Sequence, residues 1–180
     1  MTAYRLKKLW QSAWSRVRQF TYRQLGMKID GHIWMERIEW PDRPQCISIG
    51  ESAMLDRDIT LLATCDEARI VIGKFVYINR RTMIDAHERV EIGEETMIGP
   101  GCYITDHDHV FGKNISPGAQ QLVSGPTIIG KRCWLGANVT ILKGVTIGDS
   151  TVVGAGSVVT KPLPAGVLAV GVPAKIIREL

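Results

Sequence analysis

The sequence contains no C-x-x-C pair, no uninterrupted run of about 18 apolar residues, and no acidic side chain among residues 1–28. Each absence narrows the reading. Cys46, Cys65, Cys102 and Cys133 are scattered along 180 residues, which suits free thiols in a reducing compartment better than zinc ligands or a disulfide framework. Without a long apolar run no segment reads as a membrane span, and the charged, amphipathic start does not read as a secretory signal. A cytoplasmic location is the resulting expectation. A G-x-S-x-G nucleophile motif is also missing, so nothing points to a serine acyl-enzyme. The net charge of +4 is mild and gives no case for a nucleic-acid partner.

What is present is a repeat. From Ile129 to Thr160 aliphatic residues recur every six positions: Ile129, Leu135, Ile141, Ile147, Val153, Val159. Two residues before each of the last five stands a small or β-branched side chain: Cys133, Val139, Val145, Thr151, Ser157. Residues two apart on a strand face the same way, so both series can enter one core. A helix cannot use this pattern, because six steps turn the side chain to about 240° from its start. Gly130, Gly136, Gly148 and Gly154 follow four of the aliphatic positions, where they are expected to permit tight corners. Short strands, a corner every six residues and a continuous interior row define a parallel β-helix of hexapeptide repeats.

The rest of the chain falls into place around that stretch. Residues 1–45 form an amphipathic helix and an entry segment. Leu6, Leu9, Trp10, Ala13, Trp14, Val17 and Phe20 share one helical face, and Arg5, Lys8, Arg16, Arg18 and Arg23 occupy the other. Two placements suit such a helix: its apolar face docked on the protein's own core, or the helix laid on the anionic inner membrane surface. Residues 29–45, with Pro41 and Pro44, read as an irregular or short-stranded entry. The register then runs through 46–161. Ile49, Leu55 and Leu61 begin it; Ile72, Ile78 and Ile84 resume it; a two-residue insertion at His87 and Glu88 delays Ile92, Ile98 and Ile104. An interruption at 105–126, carrying Gly112, Pro117, Gly118 and Gly125, reads as a loop projecting from a corner, and the remaining repeats amount to roughly five coils. Residues 162–180 leave the repeat through Pro162 and Pro164 as a short basic tail compatible with a helix.

Several motifs carry a resemblance. Asn79, the run Ile98-Gly99-Pro100-Gly101 leading to Thr105-Asp106-His107-Asp108-His109, Trp134-Leu135-Gly136-Ala137, Gly154-Ala155-Gly156-Ser157-Val158-Val159-Thr160-Lys161 and Gly171-Val172-Pro173-Ala174-Lys175 are similar to the hexapeptide-repeat acetyltransferases. The pattern resembles most the maltose, galactoside and nodulation sugar O-acetyltransferases over residues 70–180. The basic N-terminus instead resembles polysaccharide-biosynthesis acetyltransferases. The resemblance implies an all-β, left-handed parallel β-helix, a homotrimer with sites between subunits, and acetyl transfer from acetyl-CoA to a hydroxyl of a sugar or glycan precursor, with no metal. Carried over by position, His109 is the general base, because a gapless count from Ile98 reaches it. Asn79 holds the acceptor hydroxyl, with Asp85, His87 and His107 in the acceptor pocket. Ala137, Ala155, Thr160, Lys161 and Arg178 bind CoA, the two cations against its phosphates. A non-sugar hydroxyl or an amine is open as acceptor. A second reading is a zinc enzyme resembling the γ-class carbonic anhydrases, since His87, His107 and His109 can cluster at stacked corners.

Overall fold

The computed structural model describes residues 3–110, 112–113, 116 and 122–180, with side chains from residue 8 onward. The side chains of Arg5 and Leu6 of the amphipathic pattern, and Pro117 and Gly118 of the loop, therefore lie outside what is described. Three parallel sheets wrap one interior as a β-solenoid of about seven turns. The first face runs from Lys28–Ile29 to Thr146–Ile147, the second from Trp34–Met35 to Val167–Gly171, and the third from Thr60–Ala63 to Val158–Val159. At a strand spacing near 4.8 Å, the stack stands about 30 Å tall.

Registers are in line, so like residues pile on like. Ile29, Ile49, Ile72, Ile92, Ile129 and Ile147 make one column beneath the first face. Met35, Leu55, Ile78, Ile98, Leu135, Val153 and Ala169 make the second column. Leu61, Ile84, Ile104, Ile141 and Val159 make the third, and all three are buried. The small positions fill the corners between columns. Where they are polar, their hydroxyls donate to corner carbonyls: Thr82 to Gly99, Thr96 to Gly130, Thr151 to Pro164. That pairing is what lets a hydroxyl sit in the core. Cys102 and Cys133 occupy such inward positions as buried free thiols.

Two expectations change. Five coils become about seven, because 28–39 forms a full first coil and Leu163 to Gly171 a last one. The tail is strand, not helix: Ala174–Glu179 folds back antiparallel on Val167–Gly171. The glycines also work differently from the expectation. None of Gly130, Gly136, Gly148 and Gly154 has the left-handed φ of a corner; a Cβ on Gly136 would stand 2.5 Å from the Ala155 nitrogen, and one on Gly148 2.3 Å from the Ala165 nitrogen. They let one coil lie on the next. The left-handed corner residues come two places before the strands, and most are not glycine: Ser52, Asp58, Phe75, Arg81, Glu95, Arg132, Asn138, Ser150.

The helix α1, Ala3–Gln24, closes the lower end with its polar side inward. Alternate residues of a strand aim their amide groups at opposite neighbours, so the first coil has groups with no coil beneath them. Side chains of α1 meet these groups. The Gln19 amide donates to the Ile33 carbonyl (2.8 Å) and accepts from the Ile33 N–H (3.2 Å), and the Ser15 hydroxyl accepts from the Met35 N–H (2.9 Å). Arg18 donates to the Met35 carbonyl, and Arg23 to those of Ile29 and Gly31. Ser15 and Gln19 are 1% and 2% exposed, while Trp10, Trp14 and Phe20 are 64%, 52% and 65% exposed. An apolar face could not have satisfied those backbone groups, and so docking by the apolar face is not what the structure shows.

The close stacking gives a test. Gly148→Ala should cost about 2–3 kcal/mol through overpacking against the coil above. Gly144→Ala, at a corner with φ +70 and open space around it, should cost only about 1 kcal/mol of backbone strain. Denaturant midpoints of the two variants compare them, and equal losses would mean that the coil above gives way to the added Cβ.

Candidate active site

One corner of the solenoid departs from the tight six-residue pattern, and it does so coil after coil. Between the third and first faces the chain inserts Thr64–Ala68, then His87–Glu88, then the long excursion after Thr105. Extra residues there leave amide groups that the ladder cannot pair. Asp106, fully buried, takes up three of them: its carboxylate accepts from the N–H groups of His87 (2.8 Å), Glu88 (2.8 Å) and Arg89 (2.5 Å). The same carboxylate accepts from Nδ1 of His107 at 3.0 Å. Asp106 is thus the internal staple of the corner, which no spacing in the sequence announced.

His107 is buried against this staple, with Nε2 3.8 Å from Asp85. Asp85 stands on the outer side of the third face, roofed by the excursion. One carboxylate oxygen accepts from the Tyr103 hydroxyl at 3.3 Å; the other has no hydrogen-bond partner among the described residues. Burial pushes the Asp85 carboxyl above the ordinary carboxylate range, and the nearby His107 imidazole pulls it partly back. Burial likewise pushes the Tyr103 phenol up.

His87 and His109 face open space. The Nδ1 of His87 is 2.7 Å from the Thr64 hydroxyl, one coil below, and its ring centroid is 5.8 Å from that of His107. His109 lies on the strand His107–His109, which pairs antiparallel with Leu122–Ser124 and lifts the imidazole off the solenoid. Thr64, His87, His109 and Leu122 line an open cavity of about 370 Å³. Asp108, next to His109 in the chain, is ion-paired with Lys143 at 3.1 Å, and Asp106 is hydrogen-bonded to His107, so both neighbouring carboxylates have other partners. Among the described residues, no group of three or more His, Cys, Asp or Glu is arranged to hold a metal ion. His87 and His107 each turn Nδ1 to a protein partner and not to a common point.

The other singled-out residues lie elsewhere. Asn79, Ala137 and Ala155 belong to the corner between the second and third faces, stacked in one ladder. Asn79 N–H donates to the Ile98 carbonyl, Gly136 N–H to Val153, and Gly156 N–H to Ala137. The Asn79 side chain accepts from the Arg80 N–H. Thr160 and Lys161 end the uppermost third-face strand, on the histidine corner but above it, and Arg178 lies in the terminal hairpin opposite Leu168. One chain therefore gathers Asp85, His87, His107 and His109, and holds Asn79 and the Ala137–Ala155 ladder on a separate edge. Thr64, Tyr103 and Leu122 joined the histidine site unannounced. Thr64 could have been found by placing it at the same corner one coil below His87.

The repeats that build these edges are hexapeptide repeats: residues 126–161 match the family model described as the hexapeptide repeat of succinyl-transferase. Over part of its length the chain is similar to proteins named as O-acetyltransferases. It is 42% identical over 112 residues to WbbJ of Escherichia coli K12, a protein named as an O-acetyl transferase of lipopolysaccharide biosynthesis, covering 58% of this chain and 57% of that one. It is 38% identical over 113 residues to the galactoside O-acetyltransferase of the same organism, covering 63% and 55%. Among solved structures, a hexapeptide-repeat-containing acetyltransferase from Vibrio cholerae, complexed with acetyl coenzyme A, superposes with a TM-score of 0.65 at 25% identity, covering 99% of this chain and 85% of that one. The chain thus spans just over half the length of those two curated relatives.

Asp85 supplies a pH test. A carboxyl whose folded pKa is raised favours the fold when protonated: that contribution is complete below the unfolded pKa of about 3.9 and is lost as pH rises through the folded value. Asp85→Asn removes the loss. The variant should melt above the wild type at pH 7, and the gap should close as pH falls below about 4. Thermal midpoints between these limits check it; a gap independent of pH would mean the carboxylate is satisfied.

Proposed function

We propose that the protein transfers an acetyl group from acetyl-CoA to a hydroxyl of a sugar or polysaccharide precursor, with His109 as general base. The observation that carries this is the accessible imidazole of His109 in an open cavity at the irregular corner of an acetyltransferase-like solenoid. The sugar-modifying names of the similar proteins and the acetyl coenzyme A complex of the structural neighbour support it.

In the reaction His109 takes the acceptor hydroxyl proton as the oxygen attacks the thioester carbon. The tetrahedral intermediate collapses, the C–S bond breaks, and the proton passes to the departing CoA sulfur. A thiolate leaves readily, so the base and the alignment of two substrates are the main requirements. His107 is enclosed, and its Nδ1 faces Asp106; its role is to support the pocket. Lys161 and Arg178, both exposed, meet CoA phosphates, with Ala137, Ala155 and Thr160 along the pantetheine arm.

Since one chain holds Asn79 and His109 on different edges, the site is completed between subunits of a homotrimer. The histidine edge of one subunit faces the Asn79 ladder of the next. A membrane-associated cytoplasmic enzyme of glycan assembly fits this reading.

Thiol release from acetyl-CoA across a panel of sugar, lipid-linked sugar and amine acceptors, with the acetyl mass gain of the product, tests the activity. His109→Ala should lower kcat about 10²-fold or more with donor affinity nearly intact, whereas His107→Asn, which keeps a donor toward Asp106, should cost less than about 10-fold. The reverse ranking moves the base to His107. Mixing inactive Asn79→Ala and His109→Ala subunits should restore about a quarter of wild-type activity in random trimers, because only sites with both wild-type edges work. No recovery after proven exchange would place both residues in one chain's site.

A further inference from the structure

We infer that the outward face of α1 is a docking surface for an anionic lipid bilayer. This does not rest on acetyl transfer. Five large apolar side chains stand on it: Leu9, Trp10, Trp14, Val17 and Phe20, each more than half exposed. They cannot be turned inward at little cost, because the opposite face is held by Ser15, Gln19, Arg18 and Arg23 on the backbone of the first coil.

Charge identifies the occupant. The helix contains no Asp or Glu, and exposed Arg16 flanks the apolar stripe. On the other flank Arg18, Arg37 and Arg57 line a cavity of about 440 Å³ beside Trp10 and Trp14, with Glu36 and Asp58 also in its wall. Among the described residues Arg37 alone of the three is ion-paired, at a long 4.0 Å to Asp58. A second copy of this helix would bring the same positive charge. Lipid phosphates bring the opposite charge, and the headgroup boundary is where tryptophan sits best. Among the described residues no helix is long and apolar enough to cross a membrane, so α1 would lie in the plane of the surface. The fold then stands upright on the bilayer by its lower end, since α1 covers that end.

Flotation of the full chain with vesicles tests this, using phosphatidylcholine alone and phosphatidylcholine with phosphatidylglycerol. Binding is expected on the anionic vesicles at low salt, and it should fall steeply at about 0.5 M salt. Arg16→Glu should weaken it, and the triple variant Trp10→Ser, Trp14→Ser, Phe20→Ser should lower it about 10-fold or more, with helix content, oligomer mass and activity on a soluble acceptor unchanged. Absence of binding at low salt overturns the inference, as does a triple variant that floats like the wild type. A triple variant of lower oligomer mass assigns the face to a second copy instead. Flotation, helix content and oligomer mass are independent of catalysis, so failure of the acetyl-transfer reading leaves them standing.

Discussion

The structure depends on a single spacing: each coil hydrogen-bonds to the next through parallel strands about 4.8 Å apart. At that distance a residue's main neighbours are its own equivalents above and below. The interior therefore becomes columns, such as the isoleucines from Ile29 to Ile147, and each column works only if successive coils agree in length. It also sets where backbone crowds backbone. Gly136 and Gly148 are glycines because another coil lies within 3 Å of where a side chain would begin. The same spacing makes regularity compulsory on the faces and pushes every irregularity to a corner.

The histidine corner shows what an irregularity can be used for. Inserting two residues at His87 and Glu88 frees amides, and one carboxylate from the coil above gathers them. That carboxylate also anchors His107, so the insertion and the imidazole are held by the same group. The excursion beyond it roofs Asp85 and carries His109 outward. The chemistry-bearing side chains thus hang from a rigid stack through a few short bonds. Asn79 and the Ala137–Ala155 ladder stay on a separate edge of that stack.

How legible this was differs by kind of feature. The solenoid could be read directly, because the six-residue recurrence of Leu135, Ile141, Ile147 and Val153 reports a geometry that repeats. The number of coils was misread at both ends. There the inward residues, Ile29, Met35 and Leu163, stand without the regular companions that reveal a period. The orientation of α1 was hidden for a different reason. A stripe of Leu9, Trp10, Trp14 and Val17 says that two faces differ, not which one is needed. The unpaired amides of the first coil decided that, and they are invisible until the coil exists. Asp106 escaped notice likewise: its role depends on three amides 17 to 19 residues away. The sequence names His109 as a candidate but says nothing of its surroundings, since Thr64 and Leu122 meet it only through the winding of the chain.

A stack of this kind carries no internal limit on its length, because every coil offers the next one the same edge. The two ends are what stop it. Below, α1 spends its polar side chains on the open amides of the first coil. Above, Ala174–Glu179 runs against the direction of Val167–Gly171, and a further parallel coil cannot be built on a reversed strand. The stack is finite and not the seed of a fibre because these two segments close its open edges. Its height is set by two short stretches that belong to none of its repeats.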